Sequence, residues 1–185
     1  MSTLPSRSYL GIDPSPRSTG LAILIQGSLY TETIKTQCKG ADRLFEIHDR
    51  VHTLLTEKGA ELSGACIEGA AYNANTRADD MGQVRGVLLL ALLQFKLPFL
   101  VIPPAQLKKY GAAHGAATKN KMIAAAKKEW GILLPDDEAD AAWLAHLAQG
   151  FFDTPPVKRH QLEVIHGIRE TVHKDRAHFT YTKGM

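Results

Sequence analysis

YLGIDPSPRSTGLA, at residues 9–22, predicts two short strands joined by a tight turn. The first strand is apolar and ends in the carboxylate of Asp13, which a buried strand has no packing reason to carry. Pro14, Pro16 and Gly20 then turn the chain back towards the second strand. A carboxylate at the tip of a rigid strand suits metal binding, and the alternative is a hairpin turn whose Asp hydrogen-bonds its own backbone. This stretch alone leaves both interpretations open.

The rest of the chain alternates between helix and strand patterns. Strands are predicted at residues 9–13, 19–25, 29–35, 65–68 and 98–102, and helices at residues 41–58, 79–95, 105–110, 118–130, 137–149 and 157–173. Three antiparallel strands followed by alternating helices and strands predict an α/β protein with a mixed five-stranded sheet and helices on both faces. Pro155-Pro156 marks a boundary, so we expect a core domain over residues 1–153 and a basic C-terminal helical extension over residues 154–185.

The composition predicts a protein of the cytoplasm and leaves open whether the source is cellular or viral. No apolar run reaches the ~20 residues that a membrane span needs, so no membrane partner is expected, and the N-terminus lacks the apolar core of a signal peptide. The two cysteines, Cys38 and Cys66, fall in or beside predicted strands and are expected to be reduced core residues.

Lysines cluster in one segment without acids. The net charge is only +3, but residues 102–128 contain no Asp or Glu and carry six lysines, at positions 108, 109, 119, 121, 127 and 128. A segment of one sign indicates a polyanionic partner. The alternative is a solvated helix face with a loop.

Carboxylates recur where the predicted fold would bring them together. Asp13 and Glu68 each end a strand, and the last core helix opens with Asp136, Asp137 and Asp140. Asp136 and Asp137 both share a helix face with Asp140, and both are also residue types that cap a helix or suit its dipole. Converging acids repel one another unless cations neutralise them. Oxygen ligands favour Mg²⁺ or Mn²⁺, and two such ions promote phosphodiester cleavage.

The order of these motifs resembles the RuvC family of Holliday-junction resolvases. Gly11-Ile12-Asp13-Pro14 with Thr19-Gly20 is similar to its opening motif. Ile67-Glu68 with residues 82–87 is similar to its second motif, and residues 137–141 resemble its closing D-x-x-D-A helix. Lys108, Gly115 and Lys119 match its basic loop. The resemblance covers roughly residues 9–150 and carries no counterpart of the segment after Pro156.

The resemblance implies a ribonuclease H-like nuclease domain that cuts four-way or branched DNA as a homodimer. It implies two Mg²⁺ ions per active site, with Mn²⁺ as a substitute, held by Asp13, Glu68, Asp137 and Asp140. Lys108 and Lys119 are implied beside the scissile phosphate, Lys119 as a catalytic residue. The expected DNA contacts are Tyr72, Lys108, Lys109, Lys119 and Lys121.

The helix at residues 79–95 bears on the expected dimer. Its second half is apolar on all sides, so it must be covered on both faces. A dimer contact would cover the outer face, and the alternative is that other helices of the same chain cover it.

Other functions remain open at this point. One is a different ribonuclease H-like nuclease, which cuts RNA–DNA hybrids or flaps. Another is a branched-DNA-binding protein that does not cut, against which the four acids argue. A sugar-kinase or actin-like ATPase shares the Gly-Ile-Asp opening but needs two such domains, and 185 residues are too few for that.

Overall fold

A computed structural model describes residues 7–70 and 78–174 of the chain. The strands are β1 (Ser8–Asp13), β2 (Ser18–Ile25), β3 (Ser28–Lys35), β4 (Leu62–Glu68) and β5 (Phe99–Ile102). The helices are α1 (Gly40–Lys58), α2 (Ala78–Gln94), α3 (Pro104–Ala112), α4 (Lys119–Trp130), α5 (Asp136–Phe152) and α6 (Arg159–Lys174), with a 3₁₀ turn at Gly59–Glu61. Among the described residues, no helix is long and apolar enough to cross a membrane.

The five strands form one mixed sheet in the order β3-β2-β1-β4-β5, with β1 at its centre. The first three strands pair antiparallel, because the short turns between them allow nothing else. β4 and β5 follow helical crossovers and add parallel to β1. The predicted α/β class and mixed five-stranded sheet are confirmed.

Each face of the sheet carries its own hydrophobic core. Leu10, Ile12 and Ile67 point to the face that α1 and α2 cover. Tyr9, Cys66 and their neighbours point to the other face, which packs against α3, α4, α5 and α6. Alternation along β1 therefore sends Asp13 to the same face as Tyr9, beneath α5.

Two glycines let α5 lie almost on the sheet backbone. A Cβ added at Gly11 would stand 1.9 Å from the carbonyl oxygen of Ala141, and one at Gly20 would stand 2.1 Å from that of Asp137. The side of α5 that meets the sheet is rich in alanine, which keeps it thin. This close approach fixes the start of α5 directly beside Asp13, because Asp13 pairs with Gly20 across β1 and β2.

The structure also bears on the expectations for the cysteines and for the C-terminal extension. Cys66 is buried as expected, but Cys38 is exposed in the link before α1, so its assignment to the core was wrong. A position beside a strand does not decide burial when the chain is already leaving the sheet. The extension forms α6, which adds Val164, Ile165 and Ile168 to the core shared with α5. The boundary at residue 153 stays a prediction.

Candidate active site

Asp13 and Glu68 come together because β1 and β4 are neighbouring parallel strands. Ile12 and Ile67 pair in register, so the carboxylates that follow them leave the sheet at the same edge. Parallel strands of open α/β sheets usually place their functional groups at this edge. The charge of Glu68 acts on Asp13, as the pKa of Asp13 shows below.

α5 adds its acids to this pair. Asp137 lies over Gly20 and its charge acts on Asp13, whereas the charge of Asp136 acts on Glu68 and Asp140. Asp136 is the first residue of the helix, and Pro135 holds the cap position without a side-chain cap bond. The structure therefore gathers both Asp136 and Asp137 near Asp140.

Burial makes this cluster reluctant to ionise. The pKa of Asp13 is raised well above its ordinary value, first by burial and then by the charges of Glu68, Asp140 and Asp137. Burial also raises the pKa of Glu68. The pKa of Asp140 rises to about 7 through burial and the charges of Glu68 and Asp136. Carboxylates held apart from water and close to one another need a positive counter-charge to ionise together.

The chemistry of the donor set fits a divalent cation. Asp136 Oδ1 and Asp140 Oδ1 are buried and accept no hydrogen bond from any described residue. Within residues 7–70 and 78–174, no three His, Cys, Asp or Glu side chains already stand close enough to enclose an ion. A cation would therefore have to draw these carboxylates inward, which their mutual repulsion otherwise opposes.

Two of the predicted lysines flank the acids. The positive charge of Lys108, on α3, acts on both Glu68 and Asp140. Lys119 opens α4 and forms an ion pair with Asp136, which raises the pKa of Lys119. These two lysines lie beside the carboxylates, and their role near a scissile phosphate stays a prediction.

Two of the other predicted DNA contacts, Lys109 and Lys121, lie away from the acids. Lys109 points to α6, where its Nζ is 3.1 Å from a carboxylate oxygen of Glu163. Lys121 is exposed on the first turn of α4. Tyr72 lies outside the described residues. In the described part of the chain, neither Lys109 nor Lys121 contacts the acids of the cluster, and the part of all three residues in DNA binding stays a prediction.

Arg85 and Glu138 were not singled out by sequence reasoning. Arg85 Nε donates to the backbone carbonyl of Glu68 over 3.2 Å, and so ties α2 to the end of β4. Glu138 accepts hydrogen bonds from Thr31 and Thr33, at 2.5 and 2.8 Å, and so fastens α5 to β3. Both contacts join segments far apart in sequence, and the period of one helix alone does not reveal them.

Comparison with known proteins gives the family. Residues 9–146 match the family model described as "Crossover junction endodeoxyribonuclease RuvC". The chain belongs to the RuvC family. A RuvC of Synechococcus sp. (strain CC9605) is 30% identical over 151 residues, covering 73% of this chain and 97% of the relative. A RuvC of Parasynechococcus marenigrum is 31% identical and covers 77% of this chain and 97% of that relative.

A solved structure of RuvC agrees with the fold. The structure of Thermus thermophilus RuvC in complex with a Holliday junction substrate matches with a TM-score of 0.63 at 26% identity, over 75% of this chain and 90% of that one. The mixed sheet is thus the ribonuclease H-like fold of RuvC, as the sequence predicted. The RuvC match includes every predicted site residue, and it ends before α6.

Proposed function

We propose that this chain is a Holliday-junction resolvase, an endodeoxyribonuclease that nicks symmetry-related strands of four-way DNA. One observation carries the proposal: the carboxylates of β1, β4 and α5 gather at one sheet edge, with Lys108 and Lys119 beside them. Acids in such a cluster repel DNA unless cations neutralise them, so the site suits metal-assisted cutting of a phosphodiester. Membership of the RuvC family supports the same activity.

The proposed cofactor is Mg²⁺, two ions per site, with Mn²⁺ as a substitute. Asp13, Glu68, Asp137 and Asp140 are the proposed ligands, and Asp136 is the alternative to Asp137. When bound, such ions activate water and stabilise the departing oxygen of a phosphodiester. The unpartnered oxygens of Asp136 and Asp140 support cation binding by the start of α5.

Lys119 is proposed to contact the DNA backbone at the cutting site. Its ammonium group is exposed and pairs with Asp136. A cation that attracts Asp136 would weaken this pair and leave Lys119 free to bind phosphate. Lys108, whose charge already acts on Glu68 and Asp140, would remain beside the acids.

The active molecule is proposed to be a homodimer, because a two-fold enzyme suits a pseudo-two-fold junction. Along α2, Val84 and Leu88 are buried while Leu90 and Leu93 stay 50% and 39% exposed. Gly82 and Gly86 lie on the exposed side, where an added Cβ would meet no described atom within 4 Å. α1 covers one face of α2, and a second copy would cover the other.

The test compares three substrates with and without Mg²⁺. A synthetic four-way junction should be cut in paired strands only with Mg²⁺, and a Y-fork and an RNA–DNA hybrid should be cut far less. Preferred cutting of the hybrid or the fork would support another ribonuclease H-like nuclease. Binding of the junction without cutting, in any metal, would support a DNA-binding protein and contradict the proposal.

A further inference from the structure

A cavity of about 630 Å³ opens at the same sheet edge as the acids, but on the β3 side. The turn between β1 and β2, the link from β3 to α1 and the start of α2 line it. Arg17, Lys39 and Arg43 contribute positive charge to its wall, and Asp80 is the acid among the lining residues. The described wall therefore has a net positive charge.

Arg43 is the most deeply placed of these cations. Its side chain is 11% exposed, and one end of its guanidinium lies 3.1 Å from a carboxylate oxygen of Asp80. Arg43 Nε is buried and donates to no described residue. A buried guanidinium donor without a partner costs free energy, so it favours a ligand that can accept a hydrogen bond.

Hydrogen bonds hold the rest of the wall in place. Ser15 Oγ accepts from the backbone N–H groups of Arg17 and Ser18, and Thr19 Oγ1 donates to the Ser15 carbonyl over 2.8 Å. The N–H of Thr36 donates to the carbonyl of Arg17 over 3.2 Å and ties the turn to the end of β3. These hydrogen bonds hold the turn that carries Arg17, so the cavity is preformed.

The position of the cavity beside the acids indicates a ligand that belongs to bound DNA. Asp13 ends β1, and Arg17 lies in the turn that follows it. The cavity is on the face of the sheet that α1 and α2 cover, whereas Lys108 and Lys119 belong to α3 and α4, which cover the other face. The lining includes Ser15, two residues after Asp13, so the cavity lies close enough to the acids for one bound DNA strand to contact both. Guanidinium, ammonium and hydroxyl groups are the donors that bind DNA phosphates.

We infer that this cavity binds a backbone phosphate of the DNA, on the side of the acids opposite Lys108 and Lys119. The inference rests on the proposed function, since it adds a second anchor to the DNA at the same site. Contacts on both sides of the acids would fix the direction in which the strand crosses them. Asp80 would compete with the phosphate for Arg43.

The test measures junction affinity against salt concentration, in chelator and with the DNA checked for integrity. The variant Arg17→Gln/Lys39→Gln should lower the slope of log K against log salt by about 1, the value for one lost phosphate contact. Lys58→Gln/Lys96→Gln is the matched control, because it also removes two positive charges, at the end of α1 and just before β5, at the opposite end of the sheet from the cavity. Asp80→Asn should tighten binding.

Neutral methylphosphonate linkages then locate the phosphate. One position near the cutting site should weaken binding by the native chain and have no effect on the double variant. If the native chain binds the junction but the double variant keeps the same slope, the cavity inference is overturned and the proposed function stands. If the native chain does not prefer a four-way junction to duplex DNA but the double variant still loses slope, the proposed function fails and the cavity inference stands.

Cys38 provides a test that needs no substitution. It lines the cavity and is exposed, whereas Cys66 is buried, so a maleimide should label Cys38 alone in the folded chain. Bound junction should protect Cys38 at least severalfold, measured by mass spectrometry. Equal labelling with and without saturating junction would contradict the inference, whether or not the variants fold.

Discussion

Asp140 occupies a position that packing alone does not explain. Its carboxyl group is buried one turn inside α5, close to Glu68 and Asp136, with one oxygen unpartnered in the described structure. Asp140→Asn keeps the shape but removes the charge that a cation needs. We expect it to abolish cutting of a four-way junction while binding stays equal or becomes slightly tighter, because a negative charge near phosphate is lost. Gel assays of cutting and binding measure both.

Glu138→Gln is the control at the same helix start. Glu138 bonds Thr31 and Thr33 and faces away from the cluster, so this variant should lose stability by about 1 kcal/mol and still cut. Full activity in Asp140→Asn would refute the metal site. Asp136→Asn and Asp137→Asn then decide between the two possible partners of Asp140.

The raised pKa of Asp140 predicts how stability depends on pH in the chelated protein. The folded value is about 7 against an ordinary 3.8, so folding favours the protonated form. The raised pKa of Asp140 therefore stabilises the folded chain fully below pH about 4, and this contribution is lost as pH rises through about 7. Relative to Asp140→Asn, the native chain should therefore become less stable across this range, by up to about 4 kcal/mol.

Urea unfolding of both proteins in chelator, from pH 4 to pH 8, measures this difference. Saturating Mg²⁺ should reduce it at pH 8, because the cation binds the ionised carboxylates of the folded native chain. A difference that stays constant with pH would show that Asp140 titrates normally.

Gly20 determines how closely α5 approaches Asp13. A methyl group there would overlap the Asp137 carbonyl, so Gly20→Ala must push the helix start outward. We expect a loss of about 1–3 kcal/mol in unfolding free energy, as overpacking usually costs, and a larger proportional loss of cutting in the protein that remains folded. Gly167→Ala is the control for stability, since a Cβ at this position of α6 meets open space in the described structure. Normal cutting by Gly20→Ala would contradict this account of α5.

At the scale of elements, periodicity and turn residues were sufficient to predict the sheet and its helices. The short apolar runs of β1 and β2, and the apolar stripe of α1, are local signals that tertiary packing does not override. β4 begins at Leu62 rather than at the predicted residue 65. Ser63 and Gly64 interrupt the apolar pattern in the sequence, but pairing with β1 extends the strand through them. The start of β4 could not be predicted from its own residues, because it depends on pairing with a distant strand.

Prediction of the site had a similar limit. The strand-end acids and the start of α5 were predictable, because each carries charge where packing does not need it. Three other features depend on how separate helices pack against one another. They are the place of Asp136 in the cluster, the ion pair of Lys119 with Asp136, and the contact of Lys109 with Glu163 on α6. Those contacts arise only in the folded chain.

α6 is expected to support the fold without taking part in the chemistry. Ile165 is 1% exposed in the core shared with α5, and the site acids are on other elements. Ile165→Ala should lower the unfolding free energy by about 2–4 kcal/mol, because it removes buried volume. Cutting per folded molecule should be unchanged at a temperature well below the midpoint. His166→Ala, at an exposed neighbour, should change neither quantity.

Chemical denaturation and active-site titration with junction DNA measure these two effects separately. If Ile165→Ala folds but cuts poorly, α6 helps to hold the site, and the link from Glu163 to Lys109 on α3 would be the route.

At the scale of the whole molecule, the exposed side of α2 is the proposed contact between two copies, which would let two sites act on one junction. Leu90 is 50% exposed there and follows Gly82 and Gly86 at helical spacing, so a charge at its place would be buried between two copies. We expect Leu90→Arg to convert a dimer into monomers at micromolar concentration, measured by sedimentation. Each monomer should still nick, but paired nicks within one junction should fall.

Leu133→Arg is the control, because Leu133 is 73% exposed on the link between α4 and α5, away from α2. A native chain that is monomeric at micromolar concentration and still cuts junctions in pairs would contradict the dimer.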